Sequence, residues 1–334
     1  MMKTNVTFPE AAENPGYSTI VAMWRGKWIF VRQKKLDTWE CPGGRIEKGE
    51  SPLDAAKREL AEETGAVDFT MWEIGPFRVG KEGWESDGVL FFASVRRFDE
   101  LPAYEIGELL FLDFLPDVLS IQLTYPDIQP VLFARAQAWL EERTTTVTFI
   151  RHAQSDHSVR RDDIRPLTKK GLADSGALPG MRDGLPLDAI YSSPYKRAVD
   201  TVTPLAEERG LKVVEVYNFR ERASGEWRDD FEDYFRKMWA DLDDVQEGGE
   251  SLRSTMIRNI SALEKILENE RGKSVAIGTH GTSLSTILHH YMPEFGFDDS
   301  WGFRDITPYI VRLEFLDKEF LGIEEIKLNG DGEI

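Results

Sequence analysis

The chain has 334 residues, 41 Lys and Arg against 59 Asp and Glu, and a net charge of −18. Its length suggests about two domains at roughly 100–200 residues each, and 41% hydrophobic residues exclude a disordered chain. So acidic a chain lacks the basic surface that nonspecific nucleic-acid binding needs, so no stable DNA or RNA partner is expected. The single cysteine, Cys41, cannot close an internal disulfide and fits a reducing compartment. The first residues lack the apolar core of a signal peptide, and no apolar run approaches the 18 or so residues of a membrane span. A soluble cytoplasmic protein with no membrane association is expected.

Up to about residue 128, the segments YSTIVAMW, KWIFVRQ and VLFFASVRRF read as strands around one strong helix signal, followed by a helical PVLFARAQAWLEER. This predicts an α+β unit. From TTTVTFI onward strands alternate with helices, which predicts an α/β unit. Its strands are expected at 145–150, 187–191, 212–216, 274–278 and 309–316, and its helices near 195–208, 251–270 and 282–291. The boundary falls near 142–144, giving domains 1–142 and 143–334. RDDFEDYFRKMWADLDD predicts an exposed helix with one buried face.

In the first unit, Ser51-Pro52-Leu53-Asp54 combines a capping hydroxyl, a proline suited to the first helical position and an acid three residues on, so a helix starts there. Leu53, Ala56 and Leu60 predict its apolar face. Glu59, Glu62 and Glu63 share another face. Three like charges at that spacing repel, so a cation should offset them. Oxygen-only ligands suit Mg²⁺ or Mn²⁺, an ion that neutralises a pyrophosphate and orients water. The chemistry implied is phosphoanhydride hydrolysis.

The spacing from Gly44 through Glu50 to Arg58-Glu59-Leu60-Ala61-Glu62-Glu63-Thr64-Gly65-Ala66 resembles the Nudix box of the Nudix hydrolases, with Ala66 where a larger aliphatic residue is usual. The resemblance implies an α/β/α Nudix fold over about 15–142. It also implies metal and water handling by Glu59, Glu62 and Glu63, a main-chain carbonyl ligand from Gly43, and Arg58 holding the glutamates in place. Which glutamate acts as base stays open, with Glu105 and Glu108 as candidates for an outlying acid. Gly80 and the Lys81-Glu82-Gly83 stretch lack the marks of the ADP-ribose and dinucleoside-polyphosphate subclasses. The coenzyme A signature is missing too. The approach to the box looks like the MutT-type group, which implies cleavage of nucleoside triphosphates such as 8-oxo-dGTP to monophosphate and pyrophosphate. Trp39, Trp72, Phe77 and Trp84 are candidates to stack on a base, though each reads more readily as core. RNA 5′-end hydrolysis is a rival that the acidic charge disfavours.

All five histidines follow residue 150. Arg151 and His152 directly follow the strand TVTFI, Arg197 follows LDAIY, and His280 follows SVAIG; ligand sites in open α/β sheets sit at such carboxyl ends of strands. A neutral imidazole can attack phosphorus while guanidinium forks neutralise the oxygens in flight, with no metal needed. His157, His289 and His290 read as ordinary core or surface residues.

The ordered set RHA, LTKKG, SSPYKRAVDT, GGES and THGTS resembles the histidine phosphatase superfamily, which includes phosphoglycerate mutase, over residues 145 to about 316. The resemblance implies that His152 is the phosphoacceptor and that Arg151, Arg197 and His280 bind the phosphoryl group. Glu221 would give the leaving oxygen its proton, with Glu226 the runner-up. Arg222 and Ser158 are expected beside the substrate, Ser158 standing where an asparagine is common and Ala153 where glycine is. Without the mutases' elaborated substrate segment, a phosphatase is expected.

A chain with both sites suggests a triphosphate cut to a monophosphate whose last phosphate the second site removes. The rival, on the pattern of mycobacterial-type fused Nudix proteins that share this domain order, is a cut to diphosphate and phosphate. A second domain serving an unrelated phosphoester, or a regulatory binding role, is the remaining alternative.

Overall fold

Strands and helices arise where buried positions alternate or recur every third or fourth residue, and they assort into two units, Met1–Arg143 and Thr144–Ile334. The computed structural model describes residues 4–81, 83–100, 106–115, 121–180, 187–226 and 229–327. No helix among the described residues is long and apolar enough to cross a membrane.

The first unit runs β1 (Asn5–Thr7), β2 (Tyr17–Trp24), β3 (Lys27–Gln33), β4 (Gly43–Arg45), α1 (Pro52–Thr64), β5 (Ala66–Lys81), β6 (Trp84–Phe98), β7 (Ile106–Leu112) and α2 (Gln129–Glu141). Its sheet has the order β1-β5-β6-β2-β3-β7, with β4 on β2; β2 and β6 pair in parallel, and the remaining pairs are antiparallel. One face buries Ile20, Ala22, Phe91 and Ala93 against Ala56 and Leu60 of α1. On α2, Phe133 meets Phe30 and Trp139 meets Phe92, ring centroids 5.5 and 6.4 Å apart. The result is an α/β/α sandwich. Leu53 corrects the expected apolar stripe: it is 38% exposed, and Ala55 is buried in its stead beside Ala56 and Leu60.

The second unit runs β8 (Thr144–Arg151), α3 (Lys169–Ala177), β9 (Ala189–Ser192), α4 (Lys196–Arg209), β10 (Val213–Glu215), α5 (Phe231–Ala240), α6 (Leu252–Asn269), β11 (Ser274–Thr279), α7 (Gly281–Tyr291), α8 (Phe297–Gly302), β12 (Tyr309–Leu316) and β13 (Glu319–Ile326). The sheet order is β10-β9-β11-β8-β12-β13; the first three pairings are parallel and the last two antiparallel. Val147 and Phe149 of β8 pack with α6 and α7 residues such as Leu263 and Leu284. Ile150, on the other face, packs with Val202 and Leu205 of α4. That two-sided burial fits the β-branched run of β8, whose Val147, Phe149 and Ile150 are all buried.

Candidate active sites

In the first unit, α1 begins where Ser51 Oγ accepts the Asp54 N–H at 3.1 Å, and its second turn onward delivers Arg58, Glu59, Glu62 and Glu63. Arg58 uses its fork fully. Nε and Nη2 each donate to a separate oxygen of Glu50 at 3.0 Å, and Nη1 donates to Glu59 at 2.7 Å and to Glu62 at 3.4 Å. Nη2 also reaches the Arg45 carbonyl at 3.0 Å, tying the helix to β4. The guanidinium bonds hold the Glu50 carboxyl below the usual carboxylate range. Glu50, six residues past Gly44, thus belongs to the site; its place in the box spacing was the signal for it.

Glu63 accepts the Gly43 N–H at 2.9 Å. Gly43 admits no side chain, and Gly44 leaves room for the Glu59 carboxylate. A Cβ on Gly44 would collide with the Glu59 carboxylate, and one on Gly43, at φ +156°, would lie 2.5 Å from the Ser18 carbonyl oxygen. The two carboxylates therefore meet bare backbone. Three glutamates and a main-chain strand offer oxygen donors alone, which is the donor chemistry of Mg²⁺ or Mn²⁺, so the residues fit such an ion. As they stand, Arg58 and the Gly43 N–H engage these carboxylates, and among the described residues no three His, Cys, Asp or Glu side chains are grouped as a metal site. Glu108 is ion-paired with Arg32 on an exposed edge, and Glu105 lies outside the described residues.

A 320 Å³ cavity opens beside Gly43 and Gly44, lined by Phe77, Trp84, Tyr125, Glu40, Cys41 and Gln129 among others. Two of the four aromatic candidates, Phe77 and Trp84, reach it. Trp72 stacks on Phe92 at 5.8 Å, and Trp39 lies under the Arg32 guanidinium at 5.3 Å. Gln33 Nε2 donates to Glu40 at 2.8 Å, while burial raises the Glu40 carboxyl. Burial pushes the Cys41 thiol up to about 12. Glu40, Gln33 and Gln129 escaped sequence reasoning because isolated polar residues carry no spacing signal.

In the second unit the parallel ladder continues past the strand ends. The His152 N–H donates to the Thr279 carbonyl at 3.0 Å and the Ser193 N–H to the Gly278 carbonyl at 2.8 Å, so three strand ends are locked side by side. The His152 and His280 rings consequently stand 5.3 Å apart. His152 Nδ1 lies 2.8 Å from the Ala153 carbonyl, which only accepts; Nδ1 must carry the proton, leaving the Nε2 lone pair available. Burial first, then the charges of Arg197 and Arg151, holds this imidazole well below its ordinary value. His280 is depressed likewise, by burial and by Arg197, and its Nε2 sits 2.7 Å from Ser193 Oγ.

Arg197 is 2% exposed and is anchored by the Asp162 carbonyl at 2.6 Å and carboxylate at 3.3 Å. Arg151 Nη1 donates to the carbonyls of Phe303, Arg304 and Ile306. The Nε groups of Arg151, Arg197 and Arg222 are buried without a partner in the protein, and all three residues line one 620 Å³ cavity with His152. Each orphaned buried donor costs roughly 1–3 kcal/mol, and the three guanidinium groups bring positive charge to the cavity that holds His152. Glu221 lines it too, fixed by the N–H groups of Arg222, Thr282 and Ser283 at 2.7, 3.1 and 3.2 Å. Glu226 is exposed at the same cavity.

Ser158 stands apart from the cavity. It is exposed, its N–H donates to Asp156 at 2.9 Å, and it is not among the residues around the cavity. Three positions earlier, Ser155 is buried there with an unpartnered hydroxyl, because an isolated bridge to Leu167 turns it inward. His157, read from sequence as ordinary, lines the mouth. His289 and His290 lie outside it, His289 bonded to the Phe295 carbonyl at 2.8 Å. Asp162 and Arg165 were missed as well, lying in a charged loop with no distinctive spacing.

A buried pair of histidines ringed by arginines and a glutamate-bearing helix are thus carried by separate units. A family model for the histidine phosphatase superfamily (branch 1) matches residues 147–321, more than half of the chain, and one for the NUDIX domain matches 14–108. The chain belongs to the histidine phosphatase superfamily, branch 1, and carries a NUDIX domain ahead of that domain.

Among its relatives, an 8-oxo-(d)GTP phosphatase of Mycolicibacterium smegmatis is 30% identical over 186 residues, which cover 53% of this chain and 55% of that protein. A putative 8-oxo-dGTP diphosphatase of Bacillus subtilis is 37% identical over 67 residues, 20% of this chain and 44% of that one. The chain therefore spans about half the length of these relatives. The solved structure of Bacillus stearothermophilus YhfR is 25% identical, covering 53% of this chain and 94% of that one, with a TM-score of 0.44.

Proposed function

We propose that the protein is a bifunctional cytoplasmic hydrolase. Its domain 1–142 would hydrolyse nucleoside triphosphates, oxidised ones such as 8-oxo-dGTP included, to monophosphate and pyrophosphate with Mg²⁺ or Mn²⁺. Domain 143–334 would hydrolyse phosphomonoesters through a phosphohistidine, without a metal. The observation that carries the second assignment is the set of three orphaned arginine Nε groups around a neutral His152. The first rests on the carboxylates of Glu59 and Glu63 pressed against the Gly43-Gly44 backbone.

In the second site, His152 Nε2 attacks phosphorus while Arg151, Arg197 and His280 bind the phosphoryl oxygens, with Arg222 beside the substrate. The phosphorus–oxygen ester bond breaks, and Glu221 gives a proton to the departing oxygen. Water then attacks the phosphohistidine, with Glu221 taking back a proton, to release orthophosphate and free imidazole. In the first site Glu59, Glu62, Glu63 and the Gly43 carbonyl would hold the ion, Arg58 would fix their rotamers, and the adjoining cavity would seat the base. The ion would neutralise the pyrophosphate and lower the pKa of water.

Product analysis by ³¹P NMR with Mg²⁺ and a panel of ordinary and oxidised triphosphates, comparing the wild type with His152→Ala, tests both halves. Pyrophosphate, orthophosphate and nucleoside from the wild type, with the variant halting at monophosphate, is the expected result. Orthophosphate plus diphosphate from the first step would replace the pyrophosphate reading with a cut at the terminal phosphate. If both proteins halt at the same nucleotide, the second site serves a different ester.

A further inference from the structure

The 620 Å³ cavity of the second unit far exceeds the needs of a phosphoryl group, and lies within the ~300–1,000 Å³ of pockets that enclose a drug-sized ligand. The residues beyond the arginine floor are of a different kind. Phe231 and Phe235 of α5 and Trp301 of α8 line the same space. Phe231 is nearly parallel to Phe235, centroids 5.7 Å apart at 11°, and tilted 30° from Trp301 at 6.5 Å. Phe235 and Trp301 in turn lean on Phe297, so this wall is anchored in a small core with Met238 and Leu252.

Phe231 departs from the burial of its neighbours. Tyr234 and Phe235 are buried, yet Phe231 is 41% exposed at the first turn of the same helix, beside the cavity. Uncovered aromatic surface next to a catalytic floor is apolar area that a ligand can remove from water. Exposed Glu226 and Asp229 line the same cavity, and the Arg304 guanidinium lies 4.4 Å over the Trp301 ring, so the aromatic wall is bordered by charges of both signs and its distinctive feature is the uncovered ring.

We propose that Phe231, backed by Trp301, forms a stacking subsite that selects phosphomonoesters with a planar aromatic ring on the leaving group, namely nucleoside monophosphates. The inference rests on the phosphomonoesterase reading of His152. It also accounts for α5, the aromatic helix with no other part in the reaction.

The test compares kcat/KM of the full chain on a nucleoside 5′-monophosphate and on ribose 5-phosphate, which is the same ester without the base. The wild type should prefer the nucleotide to ribose 5-phosphate by about tenfold or more, the size of one base–aromatic stacking contact. Phe231→Leu should erase most of that preference, chiefly through KM, and Phe231→Tyr should keep it. Equal turnover of nucleotide and ribose phosphate by the wild type overturns the proposal. So does Phe231→Leu lowering both esters alike. His152→Ala is run beside them: retained turnover of every ester refutes the phosphatase reading itself, whereas its loss without base preference refutes the subsite alone.

Discussion

Arg58 shows what one side chain does in the first site. Its fork spans Glu50, Glu59 and Glu62 and reaches back to the Arg45 carbonyl, so it sets where carboxylate oxygens can be. Lysine keeps the charge and loses the planar fork. Arg58→Lys is therefore expected to weaken the Mg²⁺ dependence of triphosphate hydrolysis by about 10–100-fold, as loss of a ligand-orienting partner commonly does; a Mg²⁺ titration of turnover checks it. In the second site the depressed His152 stays neutral and nucleophilic below the ordinary imidazole range. The acid limb of kcat/KM should accordingly lie below pH 6.5, and a limb at or above 6.5 would contradict the burial argument. His152, Arg197 and the box glutamates were legible because fixed spacing or a strand end announces them. Ser155, Asp162 and Glu40 were not, because their inward direction comes from a bridge, a loop and a cavity floor that only tertiary structure makes.

Among the elements, helix termini do unequal work. Ser51 opens α1 by accepting the Asp54 N–H, and its own hydroxyl donates to the Asp54 carboxylate at 2.7 Å. Ser51→Ala is expected to destabilise the first unit by about 1 kcal/mol, seen as a lower urea midpoint with unchanged slope. Ser251 caps α6 in the same way through Ser254, so the GGES segment is a helix start. Its Glu250 also grips Arg258 at 2.7 and 2.9 Å, and Arg258 donates to the carbonyls of Arg220 and Glu221, which holds the loop carrying the proposed acid. Arg258→Met should therefore lower kcat of phosphomonoester hydrolysis more than it raises KM. The parallel strands β8, β9 and β11 read cleanly from sequence as β-rich apolar runs ahead of helices. β13 and α3 did not: β13 alternates apolar residues with Glu324 and Glu325 at an exposed sheet edge, and α3 is nine residues with two glycines and little apolar content.

Taken as a whole, the molecule divides its candidate sites as it divides its cores. Separate clusters form around Leu60 and Phe91 in one unit and around Phe149 and Leu263 in the other. Expressed apart, residues 1–143 and 144–334 should each keep the turnover assigned to them; loss of both activities on separation would refute that independence. Stability with pH follows from the two buried histidines. Both bind protons less readily when folded than at 6.5 when unfolded, so between those values the unfolded chain holds more protons and stability rises with pH. The second unit should lose thermal stability as pH falls below 6.5, the loss ending below the folded values, and a melting series read by circular dichroism checks the sign.

The buried thiol of the first unit has a use of its own. Cys41 is the chain's one cysteine, buried in the wall of the first unit's cavity with its thiol pushed up to about 12. Alkylating reagents attack the thiolate, so the native molecule should label slowly and an opened first unit promptly. Opening of the second unit exposes no sulfhydryl at all. A single mass increment per molecule then becomes a clock for local opening in one half of the chain, silent to the other, with its rate set by how often the segment carrying Cys41 parts from Gln129 of α2.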